Sequence, residues 1–72
     1  MKHTFQYEDF SIQPVYLELE INYVVFDPGG YFCRLVPGEI GLELSKLDKA
    51  LDNRPEKNLI TKIGDFIIQK NA

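Results

Sequence analysis

The sequence predicts a small α+β domain: a three- to four-stranded antiparallel sheet with one C-terminal amphipathic helix packed on one face. Three observations carry this. Apolar residues recur at odd positions from Val15 to Val25, Asp27-Pro28-Gly29-Gly30 supplies a turn, and Leu59, Ile60, Ile63, Phe66 and Ile67 fall on one face of a helix. With 72 residues the chain holds a single domain, residues 1–72. A domain of this size buries only roughly 60% of the surface its unfolded chain exposes.

Along residues 4–12 an extended chain puts Phe5, Tyr7 and Asp9 on one side and Gln6, Glu8 and Phe10 on the other, which reads as a short edge strand. Val15, Leu17, Leu19, Ile21, Tyr23 and Val25 then alternate with Tyr16, Glu18, Glu20 and Asn22. A period of two over this length predicts one long half-buried strand.

Pro28 presets φ for the first central turn position, and the two glycines accept positive φ without a Cβ clash. The next strand is Tyr31 to Val36. Opposed residues in an antiparallel pair project to the same side, so the loop length decides which face each residue takes. A four-residue loop would set Arg34 opposite Tyr23 on the core face. A three-residue loop, Pro28 to Gly30, pairs Asp27 with Tyr31, Val25 with Cys33 and Tyr23 with Leu35, and puts Gly30 where a bulge favours a left-handed residue. We therefore expect a three-residue loop, or a five-residue one of the same parity, with Cys33 in the core and Arg34 on the other face.

Pro37-Gly38 marks a second turn, after which Ile40, Leu42 and Leu44 alternate with Gly41, Glu43 and Ser45 as a third antiparallel strand would. Residues 45–53 carry two readings. Leu44, Leu47 and Leu51, with Ser45 and Asp48 at capping-box spacing, fit a helical turn, which we favour; a strand running into a turn fits as well. Asn53-Arg54-Pro55 signals the start of the last helix, with Glu56 near its positive end. Gly64 costs that helix about 1 kcal/mol relative to Ala, which suggests a close approach to the sheet.

Composition excludes several function classes. Cys33 is the only cysteine and His3 the only histidine, so neither an intramolecular disulfide nor a zinc site of four nitrogen and sulfur ligands can be assembled. The apolar stretch from Val15 to Phe26 is interrupted by Glu18, Glu20 and Asn22, which makes it neither a signal peptide nor a membrane span. A cytoplasmic location is expected, since a free thiol suits a reducing compartment. Net charge is −3, but residues 1–45 carry −5 and residues 46–72 carry +2. No coherent basic face emerges, which argues against nucleic acid and favours a basic protein partner.

Each candidate for chemistry has a plainer explanation. His3 and Cys33 could form a nucleophile and base, yet Cys33 sits on the expected core face, where a thiol is a small buried hydrophobe. Glu18 with Glu20, or Glu39 with Glu43, could serve as acid and base only within a cleft, which a small sheet with one helix has little room to build. The Asp27–Gly30 turn lacks the lysine and following helix of a phosphate loop. No enzyme, metal or cofactor is therefore expected.

The uneven feature is the second face of the long strand. Tyr16, Val24 and Phe26 share it with Glu18, Glu20 and Asn22, so that it is polar in the middle and apolar at its ends. The N-terminal segment or the helix edge could cover those ends. Alternatively, aromatics beside a charged rim form a contact surface.

The order from Val15 onward is an alternating strand, a Gly/Pro-rich turn, Ile40-Gly41-Leu42-Glu43-Leu44, a leucine-bearing connection and the helix Leu59 to Ile68. Over residues 15–68 this layout resembles small accessory proteins of bacteriophages, in which a twisted antiparallel sheet precedes a terminal helix. The resemblance implies an inhibitor that occupies a host protein by surface contact, including inhibitors of CRISPR and other defence systems. The chain is less acidic than a DNA mimic. The expectation is a non-enzymatic protein-binding module whose acidic sheet, through Tyr16, Glu18, Glu20 and Phe26, meets a basic host protein. The alternative is a small structural or assembly protein acting as a homodimer.

Overall fold

The structure, a computed structural model, describes residues 4–71. Five strands form one antiparallel meander in chain order: β1 (Phe5–Tyr7), β2 (Phe10–Tyr16), β3 (Ile21–Asp27), β4 (Gly30–Pro37) and β5 (Leu42–Leu44). A short helix α1 (Lys46–Ala50) and the long helix α2 (Lys57–Asn71) follow. The α+β class and the C-terminal helix agree with the sequence, but the sheet has five strands where three to four were expected.

The miscount has one main cause. The single long strand read from Val15 to Phe26 is a hairpin, β2 and β3, joined by a tight turn at Leu17–Glu20 in which the Leu17 amide donates to the Glu20 carbonyl at 2.9 Å. Neither Glu18 nor Leu19 has positive φ, so the turn needs no glycine or asparagine and leaves no mark in the sequence. Reversal also changes the faces. In β2 the even residues Ile12 and Pro14 oppose Val25 and Tyr23 on the core side, whereas in β3 the odd residues take that side. The N-terminal edge is likewise two strands, turning at Glu8 (φ 53°), so that Phe10 pairs with Tyr7 on the core side instead of opposing it.

The β3–β4 hairpin keeps the expected parity by another route. Tyr23 pairs with Leu35 and Val25 with Cys33, as the faces required. A bulge then inserts Phe32, Phe26 pairs with Tyr31, and the loop shortens to Pro28-Gly29 with Asp27 opposite Gly30. The Asp27 carboxylate accepts from the Gly29 amide at 2.8 Å, and Gly30 takes the positive φ, 128°. Inserting one residue in the strand and removing one from the loop leaves the faces as expected from Cys33 onward and exchanges them before it: Tyr31 joins Phe26 off the core face, and Phe32 packs against the core beside Phe10. Arg34 accordingly lies opposite Val24, off the core face.

The core is the face of Ile12, Tyr23, Val25, Cys33 and Leu35, closed by Ile63 and Ile67 of α2. Helix α2 contacts both edge strands, β1 and β5, so the sheet curls around it. Tyr7 and Phe66 bring their rings to 5.0 Å at one edge. At the other, Leu42 Cβ lies 3.5 Å from where a Cβ on Gly64 would stand, an ordinary contact distance. Gly64 does approach the sheet closely, yet with room for a methyl group. The helix begins at Lys57, two residues beyond Pro55, and the Ile60 amide donates to the Glu56 carbonyl at 3.1 Å.

Residues 45–53 resolve in favour of the helical turn. Ser45 is the N-cap of α1 and its hydroxyl accepts from the Asp48 amide. The leucines do not face inward as their spacing suggests: Leu47 and Leu51 are 67% and 70% exposed, while Asp48 is 1% exposed.

Candidate functional site

In a meander, alternate turns lie at the same end of the sheet. The β2–β3 turn (17–20) and the β4–β5 loop (38–41) therefore share one end, and the last turns of α2 reach it, with Ile68 Cδ1 3.5 Å from where a Cβ on Gly41 would stand. This end carries Leu19 and Ile40 in solvent, at 93% and 101% exposure, together with the partly exposed Tyr16, Leu17 and Ile68. Glu18, Glu20 and Glu39 lie among them. Apolar side chains within an acidic setting, projecting from two turns, can form contacts.

One acid is held in place. Glu20 Oε2 accepts from Asn22 Nδ2 at 2.6 Å, and Asn22 Oδ1 accepts from Arg34 Nε at 3.0 Å. This chain of hydrogen bonds crosses β3 to β4 and holds the Glu20 carboxylate in place. Between Thr4 and Cys33 there is no lysine or arginine, so the β1–β3 half of the described sheet is uniformly acidic.

The four residues expected from sequence do not make one patch. Tyr16, Glu18 and Glu20 gather at the β2–β3 turn. Phe26 lies five residues along β3, about 16 Å away at strand rise, near the opposite end. It also faces the other side: Tyr16 pairs with Ile21 on the core side, whereas Phe26 opposes Ser11 and Tyr31 and sets its ring edge-on to Tyr31 at 6.5 Å. The shared face existed only if residues 15–26 formed one strand. Nor does the N-terminal segment cover that face; β1 extends the sheet, and Phe5 and Tyr7 pack with the core. Leu17, Leu19 and Ile40 were missed because alternation assigned them to the interior.

A second cluster surrounds Asp48. Its carboxylate accepts from the Arg34 amide (2.8 Å), the Ser45 hydroxyl (2.9 Å), the Tyr31 hydroxyl (2.9 Å) and Asn53 Nδ2 (3.0 Å). Burial alone would raise this carboxyl's pKa, but the bonds from Asn53, the Arg34 amide, Tyr31 and Ser45 outweigh it and hold the pKa below the ordinary carboxylate value. Tyr31 is pushed the other way, to about 12, by burial and by its bond to Asp48. The Ser45-x-x-Asp48 spacing signalled a helix cap; its second task as a buried acceptor had no signal.

Cys33 is fully buried, and burial followed by the negative charge of Asp48 pushes its thiol up to about 12. A thiol so placed is neither accessible nor ionised near neutrality. His3 lies outside the described residues, as does any pairing with it. Among the described residues no group of three or more His, Cys, Asp or Glu is placed to hold a metal ion, and no helix is long and apolar enough to cross a membrane.

Compared with protein-family models, with curated proteins and with solved structures, the chain matches none.

Proposed function

We propose that the chain is a non-enzymatic protein-binding module whose contact surface is the end of the sheet bearing the β2–β3 turn. The observation that supports this is the sequence Leu17-Glu18-Leu19-Glu20 displayed on a tight turn, with Leu19 in solvent, Leu17 half-exposed and Glu20 tied to the sheet through Asn22. A monomer gains nothing from a 93% exposed leucine at a hairpin tip. A partner with an apolar hollow bordered by basic residues would cover the leucines and pair with the glutamates.

In this reading Tyr16, Leu17, Glu18, Leu19 and Glu20 make the contact, Ile40 and Glu39 flank it, and Phe26 serves packing beside Tyr31. Inhibition of a host enzyme by occlusion, as in phage-encoded inhibitors, is the activity such a surface would have. The test is affinity purification from the native host with the wild-type chain beside Glu18→Lys/Glu20→Lys and Leu19→Ser. A stoichiometric, salt-sensitive partner should be captured by the wild type and lost by both variants. Equal capture by all three chains would sink the proposal, as would recovery of no stoichiometric partner.

A further inference from the structure

Helix α2 covers only part of the free edge of β5. The Ser45 amide donates to the Arg34 carbonyl at 2.9 Å, which places a hydrogen-bonded rung at the end of the β4–β5 ladder. Such rungs alternate along an antiparallel pair, so Val36 and Glu43 form the next one, and the amides and carbonyls of Leu42 and Leu44 point away from β4. At Leu42 the helix closes the edge, because the carbonyl oxygen lies 3.9 Å from where a Cβ on Gly64 would stand. Leu44 has no such cover. It lines an open groove of about 530 Å³ between β5, residues 49–55 and the first turns of α2, and its amide and carbonyl have no partner among the described residues.

The groove joins an apolar floor to a basic border. Leu44, Pro55 and Ile60 are its half-buried floor, and Lys49, Arg54 and Lys57 line it against a single carboxylate, Glu43. Two of the cations have partners already: Lys49 Nζ lies 3.8 Å from Glu43, and Arg54 Nε lies 3.1 Å from Asp52. Both pairs are exposed to solvent, where an ion pair holds weakly and exchanges readily for another. Lys57 has no ion pair among the described residues.

We propose that this groove is a docking site for an extended acidic peptide with apolar residues between its carboxylates. Charge complementarity selects the acid, since three cations face one carboxylate along the groove. The floor selects the apolar residues, which an extended chain turns to one side at every second position. The Leu44 edge selects a peptide: it needs an acceptor for its amide and a donor for its carbonyl from the same residue, which a polypeptide backbone supplies and a DNA phosphate backbone, which only accepts, does not. Pairing is confined to that one residue, because Gly64 closes the edge at Leu42. The site lies at the end of β5 away from the β4–β5 loop, and so apart from the β2–β3 tip.

The test is titration of the isotope-labelled chain with the blocked peptide acetyl-Glu-Val-Glu-Val-Glu-amide, read by amide chemical shifts and hydrogen exchange. Shifts should saturate at Leu44 and Ile60, exchange of the Leu44 amide should slow, and added salt should weaken binding. Lys57→Glu and Arg54→Glu exchange exposed cations near the start of α2 for the charge a helix favours there, so both variants should keep the fold. Each should weaken binding by about ten-fold or more. Leu19→Ser at the tip should bind as the wild type does, which separates this site from the proposed contact surface. No saturable shift up to about 1 mM peptide would overturn the proposal. Equal binding of the same peptide with lysine in place of glutamate would do so too, as would binding that leaves the Leu44 amide unprotected. Tighter binding of oligothymidylate, or of phosphatidylglycerol vesicles, at these residues would hand the groove to a different ligand and reject the peptide.

Discussion

The two helices of this protein are held by opposite means. Helix α2 turns Ile63 and Ile67 into the core and leaves Lys57, Lys62 and Lys70 in water. Helix α1 turns a carboxylate inward and two leucines outward. Apolar burial has no direction and tolerates small shifts, whereas a carboxylate with four donors holds only while each donor stays within reach. Attachment of α2 should therefore depend on side-chain volume, and that of α1 on charge and geometry.

The largest effect should come from Ile67→Ala, which removes fully buried methylenes from the α2 interface and should cost about 2–5 kcal/mol in urea unfolding. A cost below about 1 kcal/mol would show that α2 does not close the core. Next comes Asp48→Ala, which strands the Arg34 amide and removes the acceptor of three side chains, at about 3 kcal/mol.

The same residue sets an acid dependence. Its folded pKa lies below the unfolded value, so its contribution is complete above about pH 4 and is lost as pH falls through the folded pKa. Asp48→Asn should flatten the fall in stability below about pH 4 compared with the wild type, and an unchanged acid limb would show that α1 is not held by the charge. A smaller effect, of opposite sign, belongs to Gly64→Ala: with 3.5 Å to Leu42 Cβ the methyl group fits, and helix propensity should raise stability by up to about 1 kcal/mol. Smallest is Leu51→Ser on the outer side of the α1 segment, within about 0.5 kcal/mol of wild type in thermal melts of the dilute protein. A loss comparable to that of Ile67→Ala would erase the distinction between the helices.

The hairpins divide in the same manner by how far they could be read. At β3–β4 the turn chemistry is written in Pro28, Gly29 and Gly30, and the need to keep Arg34 off the core settled which residues face inward. The loop length escaped, and with it the faces of Tyr31 and Phe32, because a bulge at Phe32 and a shorter loop restore the expected faces only from Cys33 onward. At β2–β3 the turn residues are leucine and glutamate, which suit a strand equally well, and their alternation continues unbroken through the reversal. A turn without positive φ has no residue requirement by which to recognise it. The candidate site suffered most from this. Tyr16 was read as one end of a sheet face and Glu18 and Glu20 as its middle, and the exposed Leu17 and Leu19 beside them were assigned to the core.

What the sequence by itself determined is the α+β class, the β3–β4 pairing with Cys33 buried, the cap at Ser45 and the apolar face of α2. All follow from local rules: backbone permission at Pro and Gly, side-chain period and hydrogen-bonding reach within one turn. The tertiary structure decided where the chain reverses between Tyr16 and Ile21, which leucines stay in water and why Asp48 is buried. Those outcomes depend on groups distant in sequence. Asp48 is buried because the β4 edge, fourteen residues earlier at Arg34, presents an amide with no strand to receive it.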